Sequence, residues 1–330
     1  MKILIVGLGS IGQRHLRNLK KIYPNEDYFA LRVINNQFLI KNKKKTKINL
    51  SKYYKIEILK SYNKALLIKP DIVFLCNPSI YHLRDALRFL RVGSNIFIEK
   101  PLGGKLKNVT KLIKLNKKLK KNLMIGYQFR FHPLIKKVKE IIDKRKYGSV
   151  IKAEFNNLAY LPSFHPYENY RKGYAANRKL GGGVLSTMIH EIDLVAFFFG
   201  LPHKIKSSKI RSGIIKSDAY DNLTTNLIYH SRQNVIINLS LTYVKPNRSF
   251  YILFNKVILW CDLLKNKIEI YSNKTQKIIF KKISKIDFNQ LYIDEIKFFF
   301  KCIKTKKRNF LSVENNIKTE HLFHGIQKSK

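Results

Sequence analysis

Glycines at 7, 9 and 12 follow directly on the apolar run Ile3, Leu4, Ile5 and Val6. The spacing is G-x-G-x-x-G. In that pattern the glycines allow a tight turn, close approach of backbone to a pyrophosphate, and close helix–strand packing. Such a cluster alone fits a plain structural turn equally well. Here it stands between a strand pattern and a helical one, with Ile11, Leu16, Leu19 and Ile22 at helical spacing. That context points to a dinucleotide whose diphosphate faces the helix N-terminus. Further on, "NPSIYH" ends the run "DIVFLC", and Glu99-Lys100-Pro101 ends "NIFIEKP". Residues at the carboxyl ends of parallel strands face the ligand crevice. Gly7, Gly9, Ser10, Ile11, Gly12, Asn77, Pro78, His82, Glu99 and Lys100 are therefore expected to line a cofactor. The end of the second strand selects which one. An acidic residue there would bond the ribose hydroxyls of NAD, whereas Arg32 can accommodate the 2′-phosphate of NADP. The expected cofactor is NAD or NADP, with Arg32 tipping the reading toward NADP.

In the second half, three glycines (181 to 183) precede a helical stretch carrying His190, Glu191 and Asp193. His190 and Asp193 are three apart and share a helix face. A lone histidine among bulky apolar residues is usually a core or capping residue. No further ligands stand at a spacing that would make a metal site, so none is expected.

These residues need two kinds of scaffold. Strands alternate with helices over the first 120 residues, which predicts a doubly wound parallel sheet. "SVIKAEFNNLAYL" then alternates at period 2. From Asn222 to about Ser272 come extended runs separated by "SRQN", "KPN" and "KN", which predict an antiparallel meander. A helix is expected at about 183 to 199. The fold class is α/β, with a Rossmann domain at 1–122 and a substrate-binding and oligomerisation domain at 123–330.

The chain has 65 Lys and Arg against 21 Asp and Glu, a net charge of +44. Phosphate neutralisation would make this a nucleic-acid binder. The lysines are spread along the whole chain with no nucleic-acid motif, so a solvated basic surface that attracts anionic small molecules is favoured. The densest run, "KNKKKTKINLSK" (41 to 52), reads as a surface loop. No apolar run approaches the ~20 residues of a membrane span. The apolar start breaks at Gly7 with no cleavage pattern after it. Cys76, Cys261 and Cys302 lie far apart. Together these features predict a cytoplasmic protein without disulfides.

The ordered set GLGSIGQRH, NPSIYH, EKPL, GYQFRFHP and GGGVLSTMIHEID resembles the Gfo/Idh/MocA (glucose-fructose oxidoreductase / inositol dehydrogenase) family over essentially the whole chain. The stretch from Ala159 to Gly183 resembles members associated with surface-sugar biosynthesis. The resemblance implies an N-terminal Rossmann domain and a C-terminal domain with a large, mostly antiparallel sheet, often the interface of a dimer or tetramer. It implies hydride transfer between nicotinamide and a secondary alcohol or ketone of a sugar or sugar derivative, nucleotide sugars and sugar acids included. It assigns proton transfer to Lys100, shaping of the nicotinamide pocket to Pro101, and catalytic positions to His190 and Asp193. Tyr127, Arg130, His132, Tyr170, Arg171, Tyr174 and His190 are candidate substrate contacts. Arg130 and Arg171 would suit a carboxylate or phosphate, and packing between domains is the competing reading. Family members commonly carry an aspartate where Thr187 stands. That departure supports an alternative, a catalytically impaired NAD(P)-binding sensor or structural protein.

Overall fold

The computed structural model describes residues 1–32, 38–41, 44–306 and 309–329. The chain divides into two units: Met1–Tyr127 with His165–Asn169 and Tyr292–Ile317, and Gln128–Phe164 with Tyr170–Leu291 and Lys318–Lys330.

The first unit opens with β1 (Lys2–Val6), α1 (Ser10–Ile22), β2 (Asp27–Leu31) and a hairpin of β3 (Phe38–Lys41) and β4 (Lys44–Lys47). It continues through α2 (Leu50–Tyr54), β5 (Glu57–Leu59), α3 (Tyr62–Leu67), β6 (Ile72–Leu75), α4 (His82–Arg91), β7 (Asn95–Glu99), α5 (Leu106–Leu119) and β8 (Leu123–Gly126). Six strands form one sheet in the order β5-β2-β1-β6-β7-β8, and every pairing is parallel. Ile3, Leu4, Ile5, Phe74 and Phe97 are fully buried in it, as the continuous apolar runs require of strands covered on both faces. The order reverses between β1 and β6. Their carboxyl ends therefore flank the switch point at which open α/β sheets bind ligands.

Two expectations need correction. The boundary after residue 122 falls one strand early, because Leu123–Gly126 pairs with β7 in the first sheet. The basic run 41 to 52 is not simply a loop: Lys44–Lys47 pairs with β3, and α2 begins at Leu50. Alternating exposure is missing there because all of β4 is exposed. The second strand is described from Asp27 to Leu31; Val33 and Ile34, like Asn42 and Lys43 of the basic run, lie outside the described residues.

The rest of the chain forms α6 (Pro133–Asp143), β9 (Val150–Tyr160), α7 (Val184–Thr187), α8 (Ile189–Phe199), β10 (Lys204–Ile210), β11 (Asn222–Ile228), β12 (Asn234–Ser240) and β13 (Thr242–Phe254). β14 (Val257–Asp262), β15 (Lys267–Ser272), β16 (Ile278–Ile283), α9 (Phe288–Thr305) and α10 (Ile317–Lys328) complete it. The second unit holds an eight-stranded sheet, β10-β11-β12-β9-β13-β14-β15-β16. Its pairings are antiparallel except β12 with β9, which is parallel. The expected simple meander is thus interrupted. β9 comes earliest in the chain and enters the middle of the sheet. One face is buried, with the Phe155 and Phe250 rings stacked at 4.9 Å and α8 packed on β9 and β12. The other bears Tyr251 and Trp260, nearly parallel with centroids 6.2 Å apart. The helix expected over 183 to 199 breaks at Met188 (φ −106°, ψ 33°) into α7 and α8. All three cysteines are buried and free. Among the described residues, no helix is long and apolar enough to cross a membrane.

Candidate active site

In the first unit, β1 runs into Gly7, whose φ of +95° is the left-handed region that favours glycine. A Cβ on Gly7 would also meet Asn77 N at 2.9 Å, so the turn passes tight against the end of β6. Gly12 is demanded by packing, since its Cβ would lie 2.0 Å from the Gly7 carbonyl oxygen. Gly9 differs from both. Its φ of −75° and ψ of −168° are extended backbone, and a Cβ there meets nothing within 4 Å. Neither backbone nor packing calls for glycine at 9. The space beside its main chain is open, and Gly9 is the N-cap of α1 with no side-chain cap and no acidic residue in the first turn. That is the setting a diphosphate needs.

Gln13 locks this loop in place. Its amide nitrogen donates to the carbonyls of Leu8 (3.1 Å) and Phe38 (2.7 Å). Its oxygen accepts from Ile40 N (3.0 Å) and the Tyr54 hydroxyl (3.1 Å). Arg32 donates from Nη1 to Leu8 O at 3.3 Å, and burial lowers its pKa. At the end of β6, Asn77 Nδ2 donates to Asp85 at 2.8 Å, while Asn77 Oδ1 is buried with no hydrogen-bond partner among the described residues. An orphaned acceptor at the switch point fits a ribose hydroxyl of a dinucleotide.

The end of β7 is held from both sides. The fully buried His15 donates from Nε2 to Glu99 Oε1 at 2.6 Å, and Glu99 Oε2 accepts from Lys100 N at 3.3 Å. Burial would raise the Glu99 carboxyl, but the His15 hydrogen bond, with Lys100 and His82, outweighs it and leaves Glu99 below its ordinary value. The rings of Phe74, Phe97 and Tyr292 enclose His15. His82 faces the Pro101 carbonyl from Nδ1 and the Asn77 carbonyl from Nε2, both at 2.8 Å, and burial lowers its pKa. Glu99 and Pro101 are buried and Lys100 between them is half-buried. His15 is the residue missed in the sequence reading. It lies one turn after Ile11, on the face that α1 buries with Leu16 and Leu19, and a histidine there calls for a buried partner.

In the second unit, His190 is buried on α8 with its ring 4.9 Å from Phe129. The acids beside it are engaged. Arg130 donates from Nε and Nη2 to the two Asp193 oxygens at 2.9 and 2.6 Å, and the Thr319 hydroxyl donates to the same carboxylate at 3.0 Å. Glu191 accepts from Arg248 Nε at 2.7 Å and Asn157 Nδ2 at 2.9 Å. Asp193, expected as a catalytic position, and Arg130, expected as a substrate contact, form a buried bidentate pair with each other. His132 is likewise a structural cap, since Nδ1 accepts from Leu134 N at 3.2 Å at the start of α6 and Nε2 donates to Asn266 Oδ1 at 3.1 Å. Tyr170 and Tyr174 fasten their own loop. The Tyr170 hydroxyl accepts from Lys216 N at 3.2 Å and the Tyr174 hydroxyl donates to Gly181 O at 3.1 Å. Arg171 lies beside the Tyr170 ring, 5.9 Å from its centroid. Tyr127 is fully buried at the end of the first unit's opening segment. Thr187, at the end of α7, offers a hydroxyl and no carboxylate.

Two substitutions separate ligand from packing. Gly9→Ala should change stability by less than about 1 kcal/mol and weaken NAD(P)H binding at least tenfold. Gly12→Ala should destabilise the chain itself. Urea unfolding and fluorescence titration read the two effects, and unweakened binding by the Gly9 variant would refute the ligand reading of that glycine.

His15→Ala tests the Glu99 pair. With a depressed folded pKa, Glu99 stabilises the fold above the ordinary glutamate range. That contribution is lost as pH falls through its lower folded value. Without His15, burial pushes the carboxyl up, so acid unfolding should begin at higher pH. Near neutrality the unpaired carboxylate should cost about 3 kcal/mol. Denaturation of both forms across pH reads the shift, and superimposable acid limbs would contradict it.

Residues 1–127 match the family described as oxidoreductase family, NAD-binding Rossmann fold, and residues 135–271 match the GFO/IDH/MocA C-terminal domain. Among characterised and catalogued relatives, myo-inositol 2-dehydrogenase of Thermotoga maritima is 27% identical over 202 residues, covering 61% of this chain and 55% of that protein. The uncharacterised oxidoreductase YrbE of Bacillus subtilis is 26% identical over 198 residues, covering 59% and 53%. The chain thus spans about half the length of the curated relatives it matches. Its fold is similar to that of UDP-N-acetylglucosamine 3-dehydrogenase GnnA from Acidithiobacillus ferrooxidans, with a TM-score of 0.77 at 18% identity over 99% of this chain and 96% of that one. It is also similar to levoglucosan dehydrogenase in complex with NADH and levoglucosan, with a TM-score of 0.82 at 13% identity over 100% and 96%. With both of its sheets, its glycine loop and its Glu99-Lys100-Pro101 strand end accounted for, the chain belongs to the GFO/IDH/MocA family of oxidoreductases.

Proposed function

We propose that this protein is an NAD(P)-dependent oxidoreductase acting between a secondary alcohol and a ketone of a sugar or sugar derivative. The observation that carries the reading is the end of β7, where Lys100 stands half-buried between two residues that buried histidines fix. Gly7, Gly9, Gly12 and Asn77 would hold the dinucleotide, which when bound supplies or accepts the hydride. Oxidation of an alcohol also releases a proton, and a positioned base must take it. Lys100 is the proposed base, taking the hydroxyl proton in oxidation and returning it in reduction. His190 is proposed to hold the substrate hydroxyl. The relatives named for inositol, levoglucosan and UDP-N-acetylglucosamine support a polyol or sugar substrate. Arg32 supports NADP over NAD, since its cationic side chain stands just past β2.

A second reading, a dinucleotide-binding protein without turnover, draws on Thr187 and on the commitment of Asp193 to Arg130. Neither position then lends a carboxylate to proton transfer. The Lys100→Met variant decides between the two. Under the enzyme reading it keeps NAD(P)H binding and loses turnover by about three orders of magnitude. Turnover equal to wild type would overturn the role of Lys100, and a wild type inert toward sugars and nucleotide sugars would leave the binding reading.

The second unit exposes Trp260 (41%) on the outer face of its sheet, and Tyr243 (48%) and Val244 (76%) in the irregular stretch of β13 between Thr242 and Asn247. Exposed apolar side chains of this kind support a homo-oligomer, a dimer or tetramer. Sedimentation at micromolar concentration should give a particle of at least two chains, and a monomer under those conditions would dismiss it.

A further inference from the structure

Two cavities in the second unit lie side by side and share Asp218. The first has a volume of about 400 Å³ and is lined among others by Gly182, Ser186, Arg178, Lys209, Arg211 and Tyr220. The second, about 440 Å³, is lined by Arg171, Asn177, Lys216 and their neighbours. Five basic side chains and one carboxylate thus line the pair. That carboxylate is spent on backbone, accepting from Arg178 N at 2.6 Å. Lys209 is spent too, donating to the carbonyls of Ile326, Gln327 and Ser329 at the end of α10 at 3.3, 2.9 and 2.6 Å. Arg178 and Arg211 make no ion pair among the described residues.

The walls are built rather than loose. Ser217 Oγ donates to Ala176 O at 3.0 Å, and Val184 N donates to Tyr220 O at 2.9 Å. The loop beyond Arg211 is closed by the buried Asp221, which accepts from Ser212 N at 3.0 Å and Ser212 Oγ at 2.9 Å. Within this frame Asn177 Oδ1 is buried with no hydrogen-bond partner among the described residues. The orphaned acceptor lines the second cavity and the two arginines line the first, which adjoins it through Asp218; together they suit a ligand carrying both a donor and an anion.

We propose that this cleft binds the phosphate end of a phosphorylated sugar, with Arg178 and Arg211 on the phosphate and Asn177 Oδ1 accepting from a hydroxyl or ring N–H. The proposal rests on the oxidoreductase reading for its purpose. Gly182–Ser186 line the cleft and lead within four residues into His190, so a ligand anchored there adjoins the segment that carries that histidine. It narrows the substrate to phosphate esters, either a sugar phosphate or the diphosphate of a nucleotide sugar.

The test uses the full chain saturated with NADPH, so that the glycine loop cannot take up the probe. Calorimetric titration at about 150 mM salt compares UDP, glucose 1-phosphate and glucose. Binding of either phosphate at least tenfold tighter than glucose is expected. Tighter UDP indicates a nucleotide sugar, and tighter glucose 1-phosphate a sugar phosphate. Arg178→Ala and Arg211→Ala should each weaken that binding about tenfold and leave NADPH affinity unchanged. Lys206→Ala, exposed on β10, should leave both unchanged. Phosphates bound no better than glucose, arginine variants equal to wild type, or equal loss in the Lys206 variant would each overturn the proposal. Turnover of an uncharged polyol alongside such a failure would leave the oxidoreductase reading standing, whereas phosphate binding with no hydride transfer to any sugar would reverse that outcome.

Discussion

A carboxylate with almost no access to water holds the first unit's chemistry in place. Glu99 ends a buried strand, and burial there favours its neutral form. The hydrogen bond from His15 reverses the balance. Because His15 sits on α1 and Glu99 on β7, that single bond ties the helix of the glycine loop to the strand carrying Lys100. Movement of one element would strain the other through a 2.6 Å contact inside a cage of aromatic rings. The dinucleotide loop and the lysine are thereby parts of one rigid body within the unit.

The second unit solves a similar problem twice on one helix. α8 is buried along nearly its whole length, yet it carries His190, Glu191 and Asp193. Unpaired buried carboxylates would be costly. Arg248 and Arg130 take one each, and Phe129 lies between a guanidinium 4.1 Å over its ring and the His190 ring. The helix thus keeps its polar groups fixed by partners from distant segments, Glu191 by residues of the sheet itself and Asp193 by Arg130 and Thr319.

What could be read from the sequence follows the range of the forces involved. The glycine loop, its strand and its helix are neighbours in the chain, so spacing alone revealed them. The strand-end positions Asn77 and Lys100 were legible because the βα alternation dictates which strand ends meet a ligand. The Arg130–Asp193 pair spans 63 residues and the His15–Glu99 bond spans 84. Local spacing carries no trace of such partners, so neither the pairing of Arg130 with Asp193 nor that of His15 with Glu99 is legible in it. The position of β9 was hidden for the same reason. Alternation identifies a strand but not its neighbours, and the parallel pairing of β9 with β12 joins segments about 80 residues apart.

Gln13 holds the β3–β4 hairpin through Phe38 O and Ile40 N, which are main-chain atoms. Any residue at 38 or 40 other than proline at 40 could present the same groups. The exposed lysines of β4 can therefore be replaced without loosening the hairpin's anchorage beside the glycine loop, whereas Ile40 is also held by its buried side chain. The position that cannot drift is 13 itself: glutamate, its nearest isostere, would turn an oxygen toward two carbonyl oxygens and lose both bonds at once.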